Sequence, residues 1–141
     1  MTPGSVVFHT KFPFRDSETP GKKLAVILND GSCGRYIAVK TTSQGRMYTW
    51  DVGCQPPPSN FPCYFVPGNA SLFPKDTWIQ LNDFFSFDVS KFRDGQRRGI
   101  ILPKLQIPNR FLLPLIKCTL KSDDLTRADE KILISTLEQV S

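Results

Sequence analysis

"FPFRDSETPGKKLAVILND", residues Phe12–Asp30, joins the end of a hydrophobic strand to a fully apolar run through a charged, bendable loop. How this stretch is read decides the fold. Leu24–Leu28, "LAVIL", shows no polar alternation, which predicts a central strand covered on both faces. Upstream, Ser5–Phe14 follows a Pro3-Gly4 turn and reads as a first strand. Downstream, Asn29-Asp30-Gly31 is a turn signal. "RYIAVKTTS", Arg35–Ser43, has the β-branched and aromatic content of a third strand. The loop Arg15–Lys23 between the first two strands carries Pro20-Gly21 and Lys22-Lys23. Such a loop is either a plain solvated connection or a place where chemistry sits.

The remaining chain is read outward from these strands. A proline-rich excursion starts at Gln44, its inserted loop covering about residues 44–63, with strand pieces expected at Met47–Val52 and Cys63–Val66. Asp76–Asp83 and Phe84–Phe92 read as two further strand pieces, followed by a turn at Asp94-Gly95 and a short strand at Gly99–Leu102. A helical segment closes the chain over about residues 108–139. Its first helix starts near Pro108 and is interrupted or restarted by Pro114. Its second, Asp124–Gln139, is capped by Asp123 or Asp124 and gathers Leu125, Ala128, Ile132, Leu133, Thr136 and Leu137 on one face. Strands first and helices last predict one mainly β domain over residues 1–141, with α elements laid on one side, rather than a βαβ nucleotide fold.

The composition narrows the function classes. The chain has 141 residues and a formal net charge of +5, compatible with a polyanionic partner or with an ordinary solvated basic surface. Its most apolar stretch, Gly99–Leu120, is broken by Pro103, Lys104, Pro108, Asn109, Arg110 and Pro114, so no membrane helix is expected. No basic segment followed by an apolar one opens the chain, and a cytoplasmic location is the expectation. Cys33, Cys54, Cys63 and Cys118 form no C-x-x-C pair, and His9 is the single histidine, so neither a zinc site nor a cofactor is expected. Four free thiols fit that compartment, with a Cys54–Cys63 bridge across the proline-rich loop as the alternative. No Gly-rich phosphate loop and no G-x-S-x-G nucleophile motif is present.

Taken in order, "PGSVVFHTKFPF", "KKLAVILND", "YIAVKTTSQ" and "FPKDTWIQLNDFFSFDVSKF" resemble the successive strands of the MazF/PemK-like toxins. The resemblance implies an SH3-like β-barrel of the MazF/PemK type with a C-terminal helix. It also implies a homodimer, metal-independent cleavage of single-stranded RNA, and restraint by an antitoxin protein. The family's catalytic Arg before the second strand matches Lys23, with Lys22 beside it. The family's Thr at the end of the third strand matches Thr42, followed by Ser43. The Arg and Asp that some members carry on a later strand correspond to Gln80 and Asn82.

Cleavage of RNA without a metal needs a base for the 2′-OH proton, an acid for the leaving 5′-oxygen, and fixed donors on the phosphate. Lys23 is a point charge without the fork of Arg, and Gln80 and Asn82 are uncharged. A second reading therefore keeps the barrel as a nucleic-acid- or protein-binding module with weak or lost catalysis. A third has the excursion filling the groove of a protein that touches no nucleic acid. Arg97 and Arg98 form another basic cluster, suited to phosphate contact or simply exposed. His9 has the right intrinsic pKa for proton transfer, but its place within a strand favours a packed role. Tyr48, Trp50 and Phe61 in the excursion are suited to stacking on unpaired bases or to packing the loop down.

Overall fold

A computed structural model describes residues 1–15, 17–70 and 72–141; Asp16, within the expected loop Arg15–Lys23, lies outside the described residues. The strands are β1 (Ser5–Phe12), β2 (Gly21–Ile27), β3 (Arg35–Thr42), β4 (Gly53–Gln55), β5 (Cys63–Val66), β6 (Thr77–Asp88) and β7 (Ile101–Gln106). The helices are α1 (Val89–Arg97), α2 (Asn109–Thr119) and α3 (Arg127–Val140). All seven strands form one sheet in the order β4-β5-β6-β3-β2-β1-β7, every neighbouring pair antiparallel. The fold is mainly β, as expected, but the sheet is open: its end strands β4 and β7 do not pair with each other.

Strand alternation sorts the apolar residues into two cores. Val6, Val26, Leu28, Ile37, Val39, Ile79 and Leu81 pack beneath α2 and α3 with Leu112, Leu115, Ile116 and Leu133. On the other face, Val7, Ala25, Ile27, Tyr36, Ala38 and Phe85 pack against Phe92 of α1. Ala25, Val26 and Ile27 are each at most 1% exposed, so β2 is the doubly covered central strand that its sequence predicts. The turn after β2 is tied by Asn29, whose Oδ1 accepts from Ile37 N (2.8 Å) and whose Nδ2 donates to Arg35 O (3.0 Å). Gly31 there has φ +78°, and a Cβ would lie 2.6 Å from the Tyr36 ring, so glycine fits on both counts.

Several local expectations are corrected. β2 begins at Gly21, not Leu24, which brings Lys22 and Lys23 onto the strand. Phe84–Phe92 is not a separate strand; β6 runs unbroken to Asp88 and the chain then turns into α1. Asp88 Oδ1 accepts from Lys91 N (3.1 Å), capping that helix. Gly95 is not a turn residue but lies inside α1, where a Cβ would meet Ile101 Cδ1 at 2.8 Å; its missing side chain lets α1 approach β7. Pro103 sits in β7, an edge strand, where its missing N–H is tolerated. The helix α2 continues through Pro114. Thr126, rather than Asp123 or Asp124, caps α3 by accepting from Asp129 N (3.1 Å). Met47–Val52 is loop, and the first strand of the excursion is β4.

The cysteine expectation is also overturned. Cys54 is bonded to Cys118 of α2, leaving Cys33 exposed and Cys63 buried as free thiols. In the β4–β5 ladder Cys54 pairs with Tyr64, and Cys63 with Gln55. Adjacent positions on a strand point to opposite faces. Cys54 therefore faces the α2 side with Tyr64, while Cys63 joins Phe65 and Trp78 on the other. A Cys54–Cys63 bridge is excluded by this geometry. Among the described residues, no helix is long and apolar enough to cross a membrane.

Candidate functional site

Lys23 and Thr42 line one cavity, where the neighbouring strands β2 and β3 end. Ala25 pairs with Lys40, Val26 with Val39 and Ile27 with Ala38. The paired register ends at Ala25 and Lys40; beyond it the bond from Thr41 Oγ1 to Leu24 O (3.1 Å) holds the strand ends together. At these strand ends lies a cavity of about 470 Å³. It is lined by Lys22, Lys23, Thr42 and Ser43, four of the positions expected from the sequence, together with Thr41, Gln44, Lys75 and Thr77. Phe8, Leu24, Phe73 and Pro74 supply its apolar wall. Alternation places Leu24 with the α2/α3 core and Lys23 with Ala25 and Ile27, so the cavity wraps around the strand ends rather than lying on one face.

The electrostatics are one-sided. Lys22, Lys23 and Lys75 line the cavity, and among the described residues no carboxylate or histidine does. Burial, and then the charge of Lys40, push the pKa of Lys23 below the ordinary lysine value. Lys40 is itself held 3.9 Å from Asp83, which also binds Arg15 at 2.6 Å. Thr42 Oγ1 accepts from Gln44 N (3.1 Å) and, as an acceptor there, keeps its own proton available for an anionic oxygen. Chemically, the cavity offers ammonium groups and hydroxyl donors to a phosphate, with rings nearby.

The other expected positions lie elsewhere. Gln80 turns to the excursion, its Nε2 donating to Tyr48 Oη (2.7 Å), while its Oε1 is enclosed without a partner among the described residues. Asn82 is exposed on β6. Arg97 and Arg98 stand at the C-terminal end of α1, each 3.7 Å from Asp94, and Arg98 lines a different cleft. His9 is buried, packed on Phe12 and Phe87. Tyr48 and Phe61 pack the excursion down, their rings 5.6 Å apart. Trp50 remains 61% exposed although its ring lies nearly perpendicular to that of Trp78, the centroids 4.8 Å apart. Trp78 is the seat of this loop: its Nε1 donates to Thr49 O (2.9 Å), and a Cβ on Gly45 would fall 2.2 Å from its ring.

Lys75, Phe73 and Gln44 are cavity residues that sequence reasoning did not single out. Their signal was present, in "FPKD" and in the Gln that follows Thr42-Ser43, but nothing in periodicity joins β6 to the end of β2. That juxtaposition comes from the β3–β6 ladder, where Thr42 pairs with Trp78. Among known proteins, no family model matches this chain and no curated protein matches it.

Proposed function

We propose that this chain is a toxin-like endoribonuclease that cleaves single-stranded RNA without a metal, using the cavity at the ends of β2 and β3. The observation that supports this reading is that Lys23 and Thr42 line one cationic cavity, to which no carboxylate among the described residues contributes. In the reaction the 2′-OH gives its proton to water as its oxygen attacks the adjacent phosphorus, and the bond from phosphorus to the 5′-oxygen breaks while that oxygen takes a proton from Lys23. The products are a cyclic phosphate and a 5′-hydroxyl. Lys23 and Lys22 offset the charge that builds on the phosphate, and Thr42 and Ser43 orient it by hydrogen bonding. The lowered pKa of Lys23 makes its ammonium a stronger acid toward the leaving oxygen. On the same reading, the open sheet is a variant of the SH3-like barrel, the protein is a homodimer, and an antitoxin protein covers the cavity. The test is incubation of the purified protein with a long single-stranded RNA in EDTA. Fragments ending in cyclic phosphate support the proposal; intact RNA removes it.

A second reading, a binding module, is favoured by one observation: among the described residues nothing in the cavity is an evident base for the 2′-OH proton, and Gln80 is committed to Tyr48. On that reading the protein leaves RNA intact but binds it with an affinity that falls steeply with salt.

A further inference from the structure

A separate concave surface lies between α1 and the strands β1 and β7. Two adjoining cavities there, of about 510 and 350 Å³, share His9, Lys91 and Ile101. Lys11, Lys91 and Arg98 supply the cations, with Ser90 beside them. Among the described residues, the carboxylates on the walls are Asp94 and Asp88. Both are engaged: Asp94 with Arg97 and Arg98, Asp88 with the hydroxyl of Ser90 and the backbone N of Lys91. Lys11 and Lys91 are exposed and have no ion-pair partner among the described residues.

His9 gives this surface a fixed donor. Its Nδ1 accepts from Lys11 N (3.1 Å), which leaves the ring proton on Nε2. Burial lowers its pKa, so the ring is neutral at pH 7. No acceptor among the described residues takes the Nε2 proton, yet Nε2 is not fully enclosed; among the described residues only Gln80 Oε1 is both enclosed and unpartnered. The opening that reaches His9 is therefore the cleft it lines. The floor continues into Ile101 and Phe87, which suits the organic part of a ligand. Gly95 also lines the cleft, where it lets α1 close on Ile101.

We propose that this cleft binds a phosphate ester, with Lys11, Lys91 and Arg98 around the phosphate and the Nε2–H of His9 donating to one oxygen. The ester is either a free nucleotide or one phosphate of a nucleic-acid strand. The site does not depend on the reading of the β2–β3 cavity, because His9 pairs with Lys23 in the ladder but lines a different space. The experiment titrates adenosine monophosphate, inorganic phosphate and a short oligouridylate into the isotope-labelled full chain. Amide shifts at Lys91, Gly95 and Arg98 are the readout. The expected result is saturable binding of at least one probe at these residues. Lys11→Ala combined with Lys91→Ala should weaken it about tenfold or more, since two charge-assisted contacts are lost; Lys121→Ala, at an exposed position outside both cavities, should leave it unchanged. Tighter binding of the mononucleotide identifies a free ligand, and tighter binding of the oligouridylate identifies a strand. Absence of saturable shifts with all three probes, shifts confined to the Lys22–Thr42 cavity, or affinity unchanged in the double variant would overturn the proposal.

Discussion

At the scale of single residues, the structure separates side chains that the sequence offered together. His9 and Lys23 face each other across β1 and β2, yet each serves a different cavity. Both have lowered pKa values, chiefly through burial. For His9 the sign follows from linkage. The unfolded chain takes up its proton near the ordinary value of 6.5, and the folded chain only at lower pH. Stability is therefore retained above that value and lost as pH falls below it. Chemical denaturation from pH 8 to pH 5 should show this loss, and His9→Gln should flatten that part of the profile. Gly45 makes a second residue-scale prediction. A side chain there would overlap the buried Trp78 ring, so Gly45→Ala should destabilise the fold by about 1–3 kcal/mol, measured by denaturant unfolding. Neither property was legible in the sequence. A lone His in a strand and a Gly in a loop acquire meaning only from the partner that the fold brings to them.

At the scale of elements, legibility followed the strength of the local signal. The apolar run of β2 and the periodic α3 were readable because burial on two faces, or on one stripe, leaves a pattern in the residues. The short α1 was not readable. "FFSFDVSKF" alternates like a strand until Asp88, and only the cap on Lys91 N and the burial of Phe92 three residues beyond Val89 mark the helix. Asp88→Ala should cost about 1 kcal/mol, the usual value of an N-cap, with α1 amide exchange as the local measure. The excursion was misjudged in another way. β4 and β5 fold it into a hairpin, and the bond from Cys54 to Cys118 fastens that hairpin to α2 across a sequence separation of 64. By chain entropy such a crosslink contributes about 4 kcal/mol. Reduction should lower the denaturation midpoint accordingly. Alkylation of the native, unreduced protein should label Cys33 first, because Cys63 is buried and its thiol is pushed up to about 11. Equal labelling of all four cysteines would remove the bridge from the account.

At the scale of the whole molecule, chain order told the class but not the closure. Strands followed by helices gave a mainly β domain, while whether β4 and β7 meet depends on bends and register shifts that leave little trace in sequence. One such shift lies between Val39 and Thr41 of β3, where β6 carries extra residues from Gln80 to Asp83. The expected positions divided accordingly: Lys22, Lys23, Thr42 and Ser43 converge because β2 and β3 are simple neighbours, whereas Gln80 and Asn82 lie on this irregular piece of β6. The proposed homodimer belongs to this scale as well. Light scattering should give twice the chain mass, and a monomer at high concentration would contradict it. The central claim is that Lys23 and Thr42 act together on a phosphodiester. The most direct measurement is the single-turnover cleavage rate of a defined single-stranded RNA by wild type, Lys23→Ala and Lys23→Arg. The account predicts a loss of about 10²–10³ for Lys23→Ala, as for one electrostatic donor, and an equal or higher rate for Lys23→Arg, which supplies a bidentate fork. Cleavage by Lys23→Ala at the wild-type rate would contradict it.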